Sequence, residues 1–310
     1  MKYIDGGVCS AKGFRAGGMN CGIKAGSTKK DLAMIVSDTM CSAAAVYTTN
    51  KVKGAPLAVT RGHLINGTAQ AGICNSGNAN TCAPNGVEIA EKTCEITCSA
   101  LGLAAEDIIV CSTGVIGQEL SIKPFEYGVP KLAEKVSYNG GQEAAEAIMT
   151  TDTIPKSIAV EFEIDGKTCY IGGIAKGSGM IDPNMATMLS FITTDAAVSP
   201  EMLDKALKAD VKTSYNQICV DGDMSTNDTV AVLANGMAGN DEIAEECTQF
   251  HVFCEALAMV SRYLSKQLPR HGEGATKLIE CQVKRASDHE PASRISKTII
   301  TSYLLKAALF

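Results

Sequence analysis

The chain has 310 residues, 45% apolar and 20% charged, with a formal net charge of −6. That length suits one large domain or two lobes around a sizeable core, and the apolar fraction excludes wholesale disorder. The acidic balance and the lack of a basic stripe argue against a general nucleic-acid binder and against a protein held on an anionic membrane surface.

The first 80 residues predict short strands joined by glycine turns, at 32–36, 43–47 and 71–75. The last runs into the polar loop Ser76-Gly77-Asn78-Ala79-Asn80. A helix is expected from Asn85 and Gly86 to about Leu101, then a strand at 107–111 that ends at Ser112-Thr113-Gly114. Helical patterns recur at 130–137 and 141–149. Strands at 158–162 and 169–171 flank Asp165-Gly166, a strong hairpin signal. Ser199-Pro200-Glu201 opens a helix that runs to about Tyr215, with Ser as N-cap and Pro at the first position. Strands follow at 217–221 and 229–234. The longest helix is expected over 241–267, because its apolar residues at 243, 247, 250, 254, 257, 260 and 264 recur three or four apart. A strand is expected at 277–283. Residues 295–310 read as an apolar helix or strand without a polar tail, either a tucked-in helix or a chain missing its last part. The alternation of strands, helices and hairpins predicts a mixed α/β fold.

Thirteen cysteines are dispersed along the chain, and the start lacks the apolar core of a signal peptide. No run of about 18 apolar residues offers a membrane span. A cytoplasmic protein with reduced thiols is therefore expected. Cys94 and Cys98 fall on a helical face with Val87, Ala90 and Leu101, which reads as core packing. The four histidines stand singly, so neither a metal site nor a tightly held cofactor is expected.

The most unusual segment is 172–190, in which glycines cluster around Lys176 and Ser178, Pro183 stiffens a turn, and Ala186-Thr187 opens an apolar stretch. The order is wrong for a phosphate-binding loop and for a nucleophile elbow. Taken alone, it is either a site or a glycine-rich turn where two backbones pass closely. However, Lys176-Gly177-Ser178-Gly179-Met180-Ile181, followed by Pro183-Asn184-Met185-Ala186-Thr187-Met188-Leu189, resembles the self-cleavage motif of the ornithine acetyltransferase (ArgJ-type) family of arginine biosynthesis. Further similarity lies in Asn75-Ser76-Gly77-Asn78-Ala79-Asn80, Ser112-Thr113-Gly114-Val115-Ile116-Gly117 and Thr150-Thr151-Asp152-Thr153. It continues through Val220-Asp221-Gly222-Asp223-Met224-Ser225-Thr226-Asn227-Asp228-Thr229 and Gly272-Glu273-Gly274-Ala275-Thr276-Lys277, so it spans essentially the whole chain. His271 stands where the family usually has Asp, and family members continue beyond the point where this chain ends. The resemblance therefore implies a chain without the family's C-terminal part.

The resemblance implies mixed sheets sandwiched with helices and a self-cleaving Thr-nucleophile architecture. Thr187 would attack the Ala186 carbonyl, and hydrolysis of the resulting ester would give an α chain, 1–186, and a β chain, 187–310. The freed α-amine of Thr187, with an ordinary pKa of about 7.7–8.0, could then accept the proton of its own hydroxyl. Thr187 would take the acetyl group from N-acetylornithine and pass it to glutamate. The Thr113 hydroxyl and the Gly114 N–H would form the oxyanion hole. Thr150, Lys176, Thr187 and Glu273 would contact substrate, Lys suiting an α-carboxylate and Glu the ornithine ammonium. As isolated residues these would be read first as a strand exit, a solvated lysine and a turn-closing glutamate. The family includes enzymes that also use acetyl-CoA, and no residue here chooses between the two kinds. The implied assembly is a heterotetramer of two α and two β chains. The alternatives are a related self-processing amidohydrolase or aminopeptidase, in which water takes the acyl group, and an inactive truncated remnant.

Overall fold

A break in one long strand organises the fold. In this computed structural model, residues 1–182 and 188–309 are described. Among them the strands are β1 (Lys2–Ile4), β2 (Phe14–Met19), β3 (Leu32–Tyr47), β4 (Thr68–Asn78), β5 (Ile108–Val115), β6 (Lys156–Ile164), β7 (Lys167–Lys176), β8 (Leu189–Thr194) and β9 (Thr229–Ala234). The helices are α1 (Ala55–His63), α2 (Gly86–Leu101), α3 (Lys123–Ala133), α4 (Gly141–Ala147), α5 (Pro200–Thr213), α6 (Thr248–Arg270), α7 (His289–Ile300) and α8 (Tyr303–Leu309). The strands form one sheet in the order β1-β6-β7-β8-β9-β3-β4-β5, with β2 also paired to β3.

The strands expected at 32–36 and 43–47 are the two halves of β3, whose register to β4 shifts between Val36 and Cys41. Its first half pairs with β2 and its second half with β9. The two parts of the sheet stack face to face. On β3, Leu32, Met34 and Val36 pack outward with α1, α2 and α3, while Ala33 and Ile35 point inward. On β9, Val230, Val232 and Ala234 pack outward with α5 and α6, while Ala231 and Leu233 point inward. The inward sets meet Phe14, Ile109, Ile174 and Phe191 in a core between the sheet faces. The two-residue period of a strand thus sends alternate side chains to different cores, so these central strands are apolar on both faces. This is the mixed α/β sandwich that was expected. No helix among the described residues is long and apolar enough to cross a membrane.

Local chemistry accounts for the boundaries. Asp165 and Gly166 take φ of 50° and 74°, the left-handed pair that closes the β6–β7 hairpin. The Ser199 hydroxyl accepts from the Met202 N–H and caps α5. α2 is found where expected, although Val87 is exposed and the buried face runs through Ile89, Ala90, Thr93, Cys94 and Thr97. The Thr93 and Thr97 hydroxyls donate to the carbonyls four residues back, which satisfies them inside the core.

Four expectations are corrected. α3 spans Lys123–Ala133 rather than 130–137: Pro124 sits in its first turn, and Ser137 pairs with Ala16 instead of continuing the helix. α6 begins at Thr248, because Ile243 pairs with Val198 instead of entering the helix. Residues 217–221 form no strand: the carbonyls of Ile218, Val220 and Asp221 accept from the side chains of Lys297, Lys306 and Tyr303. Residues 277–283 also form no strand, since no sheet edge pairs with them, and the apolar segment after 288 is the helix pair α7–α8.

Candidate active site

β5 delivers Thr113 and Gly114 at its C-terminal end, beside Ser76 and Gly77 of β4. Gly114 has φ of +131°, and a Cβ there would stand 2.3 Å from the Gly77 carbonyl carbon. Only glycine fits this crossing. The surrounding frame is made of buried amides. Ser112 Oγ donates to Asn75 Oδ1 at 2.6 Å, and Asn75 Nδ2 donates to the Asn78 carbonyl at 2.9 Å. From the other half of the sheet, Asn227 Nδ2 donates to the carbonyls of Ala79 and Ser112 at 2.6 and 3.0 Å. The motif at 75–80 is therefore scaffolding that sets the backbone around Thr113-Gly114.

β7 brings Lys176 to the same place. Lys176 is buried, and its Nζ donates to Thr113 Oγ1 at 3.2 Å. Burial lowers its pKa, against the opposing pull of Asp152 and Asp228. Behind it lies an ion pair whose side chains are both 0% exposed: Lys156 Nζ stands 2.6 Å from Asp152 Oδ1. The same Oδ1 accepts from the Gly177 N–H at 2.7 Å, and Oδ2 accepts from the Thr150 N–H at 3.1 Å. Burial alone would raise the Asp152 carboxyl, but Lys176 and Lys156 outweigh it and hold it below the ordinary value. Thr151 Oγ1 and Ser178 Oγ share a hydrogen bond at 2.7 Å. Glu273 is exposed, and its N–H donates to the Ser178 carbonyl at 2.8 Å. Its carboxylate lies against Gly179, where a Cβ would come within 2.6 Å of Glu273 Cδ.

Thr113, Gly114, Thr150, Lys176 and Glu273 are thus linked through direct contacts and shared partners. Ala186 and Thr187 lie outside the described residues. The residues flanking them are held by two aspartates of one motif. Asp221 accepts from the N–H groups of Met180 and Ile181, and Asp228 Oδ1 accepts from the Met188 N–H at 2.5 Å. Burial pushes the Asp228 carboxyl well above its ordinary value, and its Oδ2 has no hydrogen-bond partner among the described residues. A separate cavity of about 440 Å³, lined in part by Arg61, Asn80 and Glu88 between α1 and the start of α2, holds none of the expected site residues.

The sequence alone gave no role to Asp152, Lys156, Asp221 or Asp228, although three of them lie inside motifs singled out there. The usable signal was charge within otherwise neutral runs: an Asp among threonines at 150–153, and a Lys four residues later at the entrance to an apolar strand.

The sequence matches the ArgJ family over residues 15–310. The arginine biosynthesis bifunctional protein ArgJ of Symbiobacterium thermophilum is 48% identical over 312 residues, covering 100% of this chain and 78% of that protein. That of Bacillus subtilis is 46% identical, covering 99% of this chain and 75% of that protein. The crystal structure of the ArgJ protein from Bacillus halodurans superposes with a TM-score of 0.56 at 40% identity, over 60% of this chain and 97% of that chain. Ornithine acetyltransferase from Mycobacterium tuberculosis, solved with ornithine, gives 0.55 at 38% identity, over 59% and 98%. With a match from residue 15 to 310 and relatives near half-identical across the whole chain, this protein belongs to the ArgJ family.

Proposed function

We propose that this chain is an acetyltransferase of arginine biosynthesis that moves the acetyl group of N-acetylornithine to glutamate through an acetyl-Thr187 intermediate. The observation that carries the reading is the contact between Lys176 and Thr113 beside the Gly77–Gly114 crossing. It sets a buried lysine at the end of β7, which leads into the 177–189 motif, against Thr113 and Gly114 at the end of β5, and this supports reading them as one site. Thr187 first cuts the chain after Ala186 by an N→O acyl shift and hydrolysis, leaving 1–186 and 187–310. The freed amine of Thr187 then takes the hydroxyl proton as the hydroxyl attacks the acetyl carbonyl. The Thr113 hydroxyl and the Gly114 N–H stabilise the oxyanion. Ornithine leaves, and the glutamate amine accepts the acetyl group. Lys176 and Thr150 hold the substrate carboxylate end, and Glu273 meets the ornithine ammonium. The enzyme works in the cytoplasm as two α and two β chains.

Intact mass and a ¹⁴C-acetyl transfer assay test this together. The wild type should give two fragments and glutamate-dependent release of ornithine, and Thr187→Ala should give one uncut, inactive chain. Ornithine release that does not depend on glutamate would make the protein a hydrolase instead, and an uncut wild type would remove Thr187 from its role.

A further inference from the structure

Behind the candidate site one carboxylate serves two ammonium groups. The Asp152 oxygens are taken up by Lys156 Nζ, the Gly177 N–H and the Thr150 N–H. Among the described residues, Lys176, one residue before Gly177, is left with the neutral Thr113 hydroxyl as its hydrogen-bond partner. Other titratable groups facing Lys176 do little to balance it. Burial pushes both the Asp228 carboxyl and the Cys74 thiol well above their ordinary values. Lys24 also faces it, and its Nζ donates to the carbonyls of Lys30 and Met149 while Asp31 offsets its charge. Residues 183–187 have no titratable side chain, and the proposed cut would add to them one carboxylate, at Ala186, and one amine, at Thr187. Among the described residues, Lys176 therefore has no carboxylate bonded to it directly, while Lys156 has one. A buried ammonium without a bonded counter-ion is costly, and an anionic ligand at Lys176 would supply one.

We propose that Asp152 is a positioning residue for substrate binding, and that Lys156, by occupying Asp152, keeps the Lys176 ammonium available to the α-carboxylate of the amino-acid substrate. The substrate half of this inference rests on the proposed acetyltransferase reading, whereas the charge relation among the three residues does not. Asp152 has two effects: its oxygens fix the backbone at Thr150 and Gly177, and its charge opposes the lowering of the Lys176 pKa by burial. Lys156 has the opposite effect on Lys176. With Lys156 gone, Asp152 would pair with Lys176 directly, and the substrate would have to compete with a buried carboxylate.

The two variants should move in opposite directions. Lys176 is followed by its ¹³Cε resonance as pH is raised, assigned by its loss in Lys176→Arg, and N-acetylornithine binding is measured by calorimetry at about pH 7 and pH 9. In Asp152→Asn, Lys176 should lose its proton at lower pH than in the wild type, and binding should weaken by about tenfold at the higher pH and less at the lower. In Lys156→Met, Lys176 should keep its proton to higher pH, and binding should weaken by about tenfold at both. Asp152→Glu should restore part of the wild-type behaviour. An unmoved Lys176 titration in Asp152→Asn, or tighter binding in Lys156→Met, overturns the inference. If Asp152→Asn does not fold, the Lys156→Met arm decides it. A wild type that ignores N-acetylornithine refutes the substrate assignment, while the titrations still decide the charge relation.

Discussion

Gly114 and Gly77 cross so closely that a single methyl group on Gly114 would sit 2.3 Å from the Gly77 carbonyl carbon. The backbone at Gly114 also has φ of +131°, where an L side chain is strained. Gly114→Ala should therefore cost about 1–3 kcal/mol from strain and more from the clash. Acetyl transfer should fall by about 10²–10³, since the Gly114 N–H would be displaced from the oxyanion. Thermal unfolding and single-turnover rates check the two effects separately. Transfer at the wild-type rate would remove Gly114 from the oxyanion hole.

Asp221 holds the N–H groups of Met180 and Ile181, a few residues before the proposed cut. Asp221→Ala removes both acceptors and should slow self-cleavage by about tenfold or more, because small misplacements of a reacting group cost about 10². The measurement is the half-time of cleavage by intact mass in freshly refolded protein. Cleavage at the normal rate would show that this anchor does not align the segment.

Asp210, near the end of α5, is a buried carboxyl whose Oδ1 has no hydrogen-bond partner among the described residues. Burial pushes it up to about 6, against the pull of Ser261, Ser214 and Arg262. Tyr215 and Cys254 face it as well. A folded pKa above the unfolded value means that the folded state binds the proton more tightly. The stabilisation is present below the unfolded value of about 3.9 and is lost as pH rises through about 6. Asp210→Asn should thus be more stable than the wild type by about 2–3 kcal/mol near pH 8, with the difference gone near pH 4. Urea unfolding at the two pH values checks this. An advantage that does not depend on pH would mean that the carboxyl does not titrate with folding.

Leu264 of α6 is fully buried, and its Cδ1 lies 3.0 Å from where a Cβ on Gly173 of β7 would stand. Leu264→Ala should cost about 2–5 kcal/mol by leaving a cavity that the sheet cannot close. Denaturant midpoints at constant slope measure it, and a loss below about 1 kcal/mol would show that α6 shifts to fill the gap.

Elements driven by local chemistry were legible in the sequence. The Ser199 cap, the Asp165-Gly166 turn and the α2 boundaries depend on neighbours in the chain and are found where expected. Failures occur where a distant partner competes. Ile243 was read as helix by its spacing but is taken by Val198, and 217–221 was read as strand but has its carbonyls satisfied by lysine and tyrosine side chains from α7–α8. At the site, Thr113, Gly114, Thr150, Lys176 and Glu273 were reachable through motifs. The ionic layer of Asp152 and Lys156 was not, because it exists only once β6 and β7 pair and set Lys156 opposite Ala175, beside Lys176.

β8 and β9 follow the proposed cut in sequence yet lie in the middle of the sheet, with β7 on one side and β3 on the other. A nick after Ala186 would therefore release nothing: each piece supplies the hydrogen-bonding edge that the other needs. Cut before folding, the 1–186 piece would carry two unpaired inner edges, and 187–310 would be two strands without a sheet, both inviting aggregation. Folding must precede scission, and two separately produced halves would be expected to precipitate rather than find each other. Co-expression of 1–186 with 187–310 should recover far less soluble protein than expression of the unbroken chain, so the uncut precursor would act as a folding template that is spent once.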